Sequence, residues 1–107
     1  MKISLRSPSR QRVKPGEKAL IQVAVVEEND TADLVGSERV RFSVRRQGLG
    51  SFDGTGQVWE ELGTDQDTGE AESQFTVDPA ITVGYFQIEV SLREGQSRVY
   101  VNVDVNK

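Results

Sequence analysis

The 107-residue chain contains no cysteine and no histidine. Disulfide scaffolds, thiolate zinc sites, Cys or His nucleophiles and imidazole general bases are therefore excluded. No apolar run approaches the ~18 residues a membrane helix needs, so no membrane insertion is expected. The basic start MKISLRSPSR has no apolar stretch behind it, and no signal peptide is expected. Hydrophobic residues make up 36% and charged residues 28%, with a mean hydropathy of −0.49. That balance suits a water-facing surface around one modest core, and the length suits one domain spanning 1–107.

What charge there is lies unevenly. The net is −4, from 13 basic and 17 acidic residues. The first 18 residues carry Lys2, Arg6, Arg10, Arg12, Lys14 and Lys18 against Glu17 alone, a net of +5. The remaining 89, with seven basic and sixteen acidic residues, carry −9. A pI near 4.8 argues against nucleic acid as a partner, because binding by phosphate neutralisation needs a basic domain. Residues 1–14 read as a first strand followed by a basic, linker-like segment, and as a solvated strand rather than an anion patch.

A period of two runs through the sequence. Ile3 and Leu5 alternate with polar residues, and Pro15-Gly16 marks a turn. Ile21, Val23 and Val25 share one face of ALIQVAVVEE, and Val40, Phe42 and Val44 share one face of RVRFSVRR. The glycine-rich QGLGSFDGTG turns the chain, with a brief strand at Ser51-Phe52. QVWEELGTDQDTG holds a short strand and ends in a turn at Asp67-Thr68-Gly69. Phe75 and Val77, then Phe86, Ile88, Val90 and Leu92, then Val99, Val101, Val103 and Val105 continue the pattern, with REGQ as a hairpin turn. No segment keeps helical spacing for three turns. The expectation is an all-β sandwich of about seven antiparallel strands, each with one apolar and one polar face. An up-and-down barrel is the alternative.

The succession RVRFSV, GLGSF, TDQDTGEA, Phe75, GYFQIEV and a Val-rich last strand resembles the bacterial immunoglobulin-like domains of invasin and intimin type, from about Lys14 to Val105. The pattern Gly84-x-Phe86-x-Ile88-x-Val90 is also similar to filamin-type repeats. The Thr55–Gly63 insert, carrying Trp59, is longer than the resemblance implies, and no complete tyrosine corner is present. The resemblance implies an immunoglobulin-like β-sandwich that is not an enzyme. It implies a structural spacer or protein-interaction domain of a larger bacterial surface or secreted protein. The partners would be neighbouring domains of the same chain or another protein, the location the cell surface, and Met1 in that case an engineered start.

Four groups of residues are candidate sites. Asp65, Asp67 and Glu70, with Asp53 expected nearby, have the look of a calcium loop but lack its closing glutamate, and Asp and Gly are ordinary turn residues. The turn reading is preferred, and no cofactor is expected. Glu27, Glu28, Asp30 and Asp33 read as a solvated loop at one end of the sandwich rather than a calcium bridge between domains. Arg39, Arg41 and Arg45, with Arg46, form a stripe that suits an anionic glycan or an acidic protein. The preferred reading is cross-strand pairing with carboxylates such as Glu89, at ~0.2–1 kcal/mol per pair. Trp59 is a binding anchor or, as ring burial favours, a plug over the sandwich edge with Val58 and Leu62. Tyr85 and Tyr100 point outward and would join Trp59 in a sugar platform only if the three share a face. An enzyme would have to work with carboxylates alone, and nothing places two of them across a cleft.

Overall fold

A computed structural model describes residues 1–27, 36, 38–92 and 97–106. Nine strands form among the described residues: β1 (Lys2–Leu5), β2 (Arg10–Val13), β3 (Lys18–Val26), β4 (Arg39–Ser43), β5 (Gly50–Phe52), β6 (Trp59–Gly63), β7 (Glu70–Val77), β8 (Val83–Leu92) and β9 (Arg98–Asn106). They make a four-stranded sheet in the order β1-β3-β7-β5 and a five-stranded sheet in the order β2-β9-β8-β4-β6. Every pairing is antiparallel except β2 with β9, which is parallel. The fold is an all-β sandwich. Nine strands stand where about seven were expected, because the basic segment read as linker-like contributes β2 and the short strands expected at Ser51-Phe52 and around Trp59 both form.

The alternation has the expected phase. Ile21, Val23, Val25, Val40, Phe42, Phe75, Ile88, Val90, Val101 and Val103 have less than 1% of their surface exposed, and Val44 and Phe86 are buried. Leu5, at the end of β1, and Val99, near the start of β9, are the exceptions and are only half-buried. All four phenylalanines join in one chain through the core. Phe42 lies 6.5 Å from Phe52, Phe52 packs edge-on to Phe75 at 5.0 Å, and Phe75 lies 5.4 Å from Phe86. Phe42 and Phe86 come from the five-stranded sheet, and Phe52 and Phe75 from the four-stranded one. The rings therefore tie the sheets together, each pair adding ~0.5–1.5 kcal/mol beyond its burial. Gly50 lets β5 reach this core. Its φ is +144°, and a Cβ there would collide with the Thr76 carbonyl of the neighbouring strand.

Between β1 and β2 the chain leaves the four-stranded sheet for the five-stranded one. The departure strips a partner from the middle of β3. Side chains and loop backbone replace it. The Gln11 carboxamide accepts from the Leu20 N–H at 3.2 Å and donates to the Leu20 carbonyl at 2.7 Å. The Ser7 hydroxyl oxygen accepts from the Gln22 N–H at 3.0 Å, and the Arg6 N–H donates to the Gln22 carbonyl at 2.7 Å. All four β3 backbone groups are satisfied, as partly buried amides require.

Candidate functional site

The outer face of the five-stranded sheet gathers most of the candidate residues. Because β4, β8 and β9 bury their apolar positions, the intervening residues point outward together. Pairing places Trp59 opposite Ser43, Ser43 opposite Glu89, and Glu89 opposite Tyr100, one straight row across four strands. At ~4.8 Å per strand, Trp59 and Tyr100 stand roughly 14 Å apart with the small Ser43 between them. The next row toward the β8 N-terminus pairs Gln87 with Asn102, and the one beyond pairs Tyr85 with Asp104. Trp59, Tyr85 and Tyr100 are the large apolar side chains exposed among the described residues, and they share this face.

Trp59 is not the edge plug that ring burial favours. It is 42% exposed, and the Arg41 guanidinium lies over its ring at 5.1 Å. The reason is pleat phase. Val44 N–H donates to the Val58 carbonyl and Phe42 lies opposite Glu60, so Glu60 turns inward and Trp59 outward. Val58 and Leu62 are half-buried, and Leu62 packs on the core. Glu60 is thus a buried carboxylate that sequence reasoning missed. Its Oε1 accepts from the Ser73 hydroxyl at 3.4 Å, its Oε2 has no hydrogen-bond partner, and the group lies so close over Gly54 that a Cβ there would strike it.

The arginine stripe divides by environment. Arg39 faces Glu61 at 3.9 Å, and Arg41 caps Trp59. Glu89, the expected partner, is instead taken by Arg98 at 3.5 Å and by the Tyr100 hydroxyl, which donates at 3.3 Å. The reason is register, since Glu89 lies opposite Ser43 and not opposite an arginine. Arg45 and Arg46, past the end of β4, are exposed and make no ion pair with any described residue. They border a depression of about 550 Å³ whose lining includes Arg45, Arg46, Tyr85, Gln87, Glu89 and Tyr100. It exists because β4 stops at Ser43 while β8 runs on beside it toward Val83. Around it, the Tyr85 hydroxyl donates to Asn102 Oδ1 at 2.7 Å, and the Gln87 amide donates to the same oxygen at 2.9 Å. The result is a cationic, aromatic and hydrogen-bonding concavity.

The acidic candidates serve local structure. The Asp65 carboxylate accepts from the Asp67 N–H at 2.8 Å and the Thr68 N–H at 3.0 Å, an Asx turn that leads into β7. The Thr68 and Asp67 amides hold that carboxyl below the ordinary aspartate range. Asp67 and Glu70 are exposed, and no three carboxylates converge among the described residues. Asp53 is not beside this turn. It sits at the other end of β7, where Lys18 at 2.6 Å and then the Thr76 hydroxyl lower its pKa. Glu27 is half-buried, whereas Glu28, Asp30 and Asp33, with the REGQ turn residues 93–96, lie outside the described residues.

No family model and no curated protein matches this sequence. Solved structures do match in shape. A superoxide reductase (neelaredoxin) from Ignicoccus hospitalis is similar over 98% of this chain and 80% of its own, with a TM-score of 0.55 at 7% identity. A member of the MSP family of C. elegans covers 97% of this chain and 95% of its own, with a TM-score of 0.48 at 10% identity. At such identities the first likeness is one of fold, and it agrees with the all-β architecture.

Proposed function

We propose that the chain is a non-catalytic, immunoglobulin-like interaction module that binds an acidic protein partner through the outer face of the five-stranded sheet. The strand order supports the immunoglobulin-like part. Setting aside β2 and β6, the order β1-β3-β7-β5 against β4-β8-β9 is the A-B-E-D and C-F-G arrangement of that fold. The lack of histidine and cysteine in the sequence favours a binding role over a catalytic one.

One observation carries the reading: Arg45 and Arg46, which form no ion pair with a described residue, flank a tyrosine-lined depression on the face that also holds every exposed large aromatic side chain among the described residues. Arginine and aromatic residues are enriched where proteins bind one another. The test is titration of the isotope-labelled domain with poly-glutamate and, separately, with a heparin fragment, followed by backbone NMR. Poly-glutamate is expected to move resonances of Arg41, Arg45, Arg46 and Tyr100. The shifts should shrink with added salt and in an Arg45→Ala/Arg46→Ala variant, because exposed charges are screened over about 10 Å. Shifts confined to the four-stranded face would overturn the reading. So would binding of heparin alone, which would make the face a glycan site.

A further inference from the structure

We propose that the depression beside β8 takes a short, extended, acidic peptide segment as an added strand, in line with β4 and hydrogen-bonded to the backbone of Tyr85 and Gln87. The proposal deepens the interaction-module reading and rests on it.

The argument starts from ladder geometry. In an antiparallel sheet, successive residues direct their N–H and C=O to opposite neighbours. Leu92 N–H donates to the Ser97 carbonyl, so Leu92 and the alternate residues Val90, Ile88 and Phe86 address β9. Ser91, Glu89, Gln87 and Tyr85 then address the β4 side. Arg41 and Ser43 pair with Ser91 and Glu89, and there β4 ends. The Val44 N–H turns away to the Val58 carbonyl, and Arg45, the residue that would face Gln87, is outside the ladder. Gln87 and Tyr85 therefore present two N–H and two C=O groups to the depression with no described strand to receive them. The uncovered stretch from Val83 to Ile88 is roughly 20 Å at ~3.3 Å per residue, enough for a short strand.

Charge chooses the occupant. Arg45 and Arg46 stand at the mouth and form no ion pair with a described residue, while the Glu89 on the same wall is already paired with Arg98 and takes a hydrogen bond from Tyr100. Added strands take affinity from main-chain hydrogen bonds and specificity from alternate side chains. Here the main-chain groups are in β8, and the side-chain preference is for acids near Arg45 and Arg46. A polyanionic glycan would use the arginines but has no amide ladder to offer Gln87.

The experiment compares four probes on the intact chain: a blocked hexapeptide of alternating glutamate and valine, the same peptide N-methylated at alternate residues in each phase, its lysine counterpart, and a heparin hexasaccharide. The acidic peptide is expected to bind and to protect the Tyr85 and Gln87 amides from hydrogen exchange. One phase of N-methylation should weaken it about tenfold or more, and the lysine peptide should not bind. A Gln87→Pro variant should fold, because that N–H makes no bond within the sheet, and should lose peptide binding. Equal binding of both methylated peptides without amide protection would overturn strand addition and leave the acidic-face reading standing. Failure of the acidic peptide together with poly-glutamate would overturn both. Tighter binding of heparin without protection of these amides would assign the depression to a glycan. Protection of these amides by self-association alone would assign it to a second copy.

Discussion

At seven of the eight connections between the nine described strands the chain changes sheet, and two of these departures leave different edges behind. Between β1 and β2 it strips the middle of β3, and Gln11, Ser7 and Arg6 take up both backbone groups of Leu20 and both of Gln22. Between β4 and β5 it strips the start of β8, and the facing groups of Tyr85 and Gln87 receive no replacement from a described residue. The first edge is closed by a carboxamide that imitates a strand. The second is bordered by two arginines that make no ion pair with a described residue, and by tyrosines. An uncovered strand edge invites pairing, and proteins ordinarily cover or blunt one. The same chain covers one vacated edge and leaves another beside cationic side chains, the difference on which the proposed strand addition rests.

Substitutions can break or sharpen this contrast. The largest effect is expected where both edges share support. Phe75→Ala removes the ring that links Phe52 to Phe86 and should cost about 3–5 kcal/mol, read by urea unfolding. Exchange at Leu20 and Ile88 should accelerate together, because one core lies under both sheets. Gln11→Ala should cost about 1–3 kcal/mol, the penalty for leaving two partly buried backbone groups unpaired. It should make the Leu20 amide exchange as Gln87 does. A loss below a few tenths of a kcal/mol would mean that the carboxamide does not close the edge.

Acid should act mainly on the four-stranded sheet. Asp53 joins Lys18 of β3 to Thr76 of β7, and Asp65 shapes the turn entering β7, and both carboxyls are held below their ordinary range. A depressed carboxyl adds stability above its unfolded value of about 3.9, and that stability is lost as pH falls through the folded value. The melting temperature should therefore decline below about pH 4, with less decline in an Asp53→Asn/Asp65→Asn variant. The smallest effect belongs to the open edge. Arg45→Ala/Arg46→Ala should change stability by no more than about 0.5 kcal/mol in chemical denaturation, as for exposed residues without partners.

The sequence reveals the inner faces better than the edges. Ile21, Phe42, Phe75 and Ile88 are readable because each inward position is apolar and each neighbour polar, and that alternation is what the sandwich buries. It carries no mark of which sheet a strand joins, and with Val13 its only apolar residue the β2 segment reads as a basic linker. Trp59 is misread for a related reason: in VWEEL apolar and acidic residues do not alternate, and the register with β4 decides that Glu60 turns inward. Arg41, Arg45, Tyr85 and Tyr100 are each visible as outward residues. Their meeting on one face depends on long-range pairing, and the unfilled ladder depends on where β4 stops. Gln11 gives no signal at all, since a glutamine among arginines reads as solvated surface.

Amide hydrogen exchange of the unliganded chain, residue by residue along β3 and β8, tests the contrast most directly. Leu20, Gln22, Phe86 and Ile88 should be protected, while Tyr85 and Gln87 exchange much faster than the β8 residues between and beside them. Protection of Tyr85 and Gln87 equal to that of Ile88 would mean that the edge is already filled, and would contradict the account.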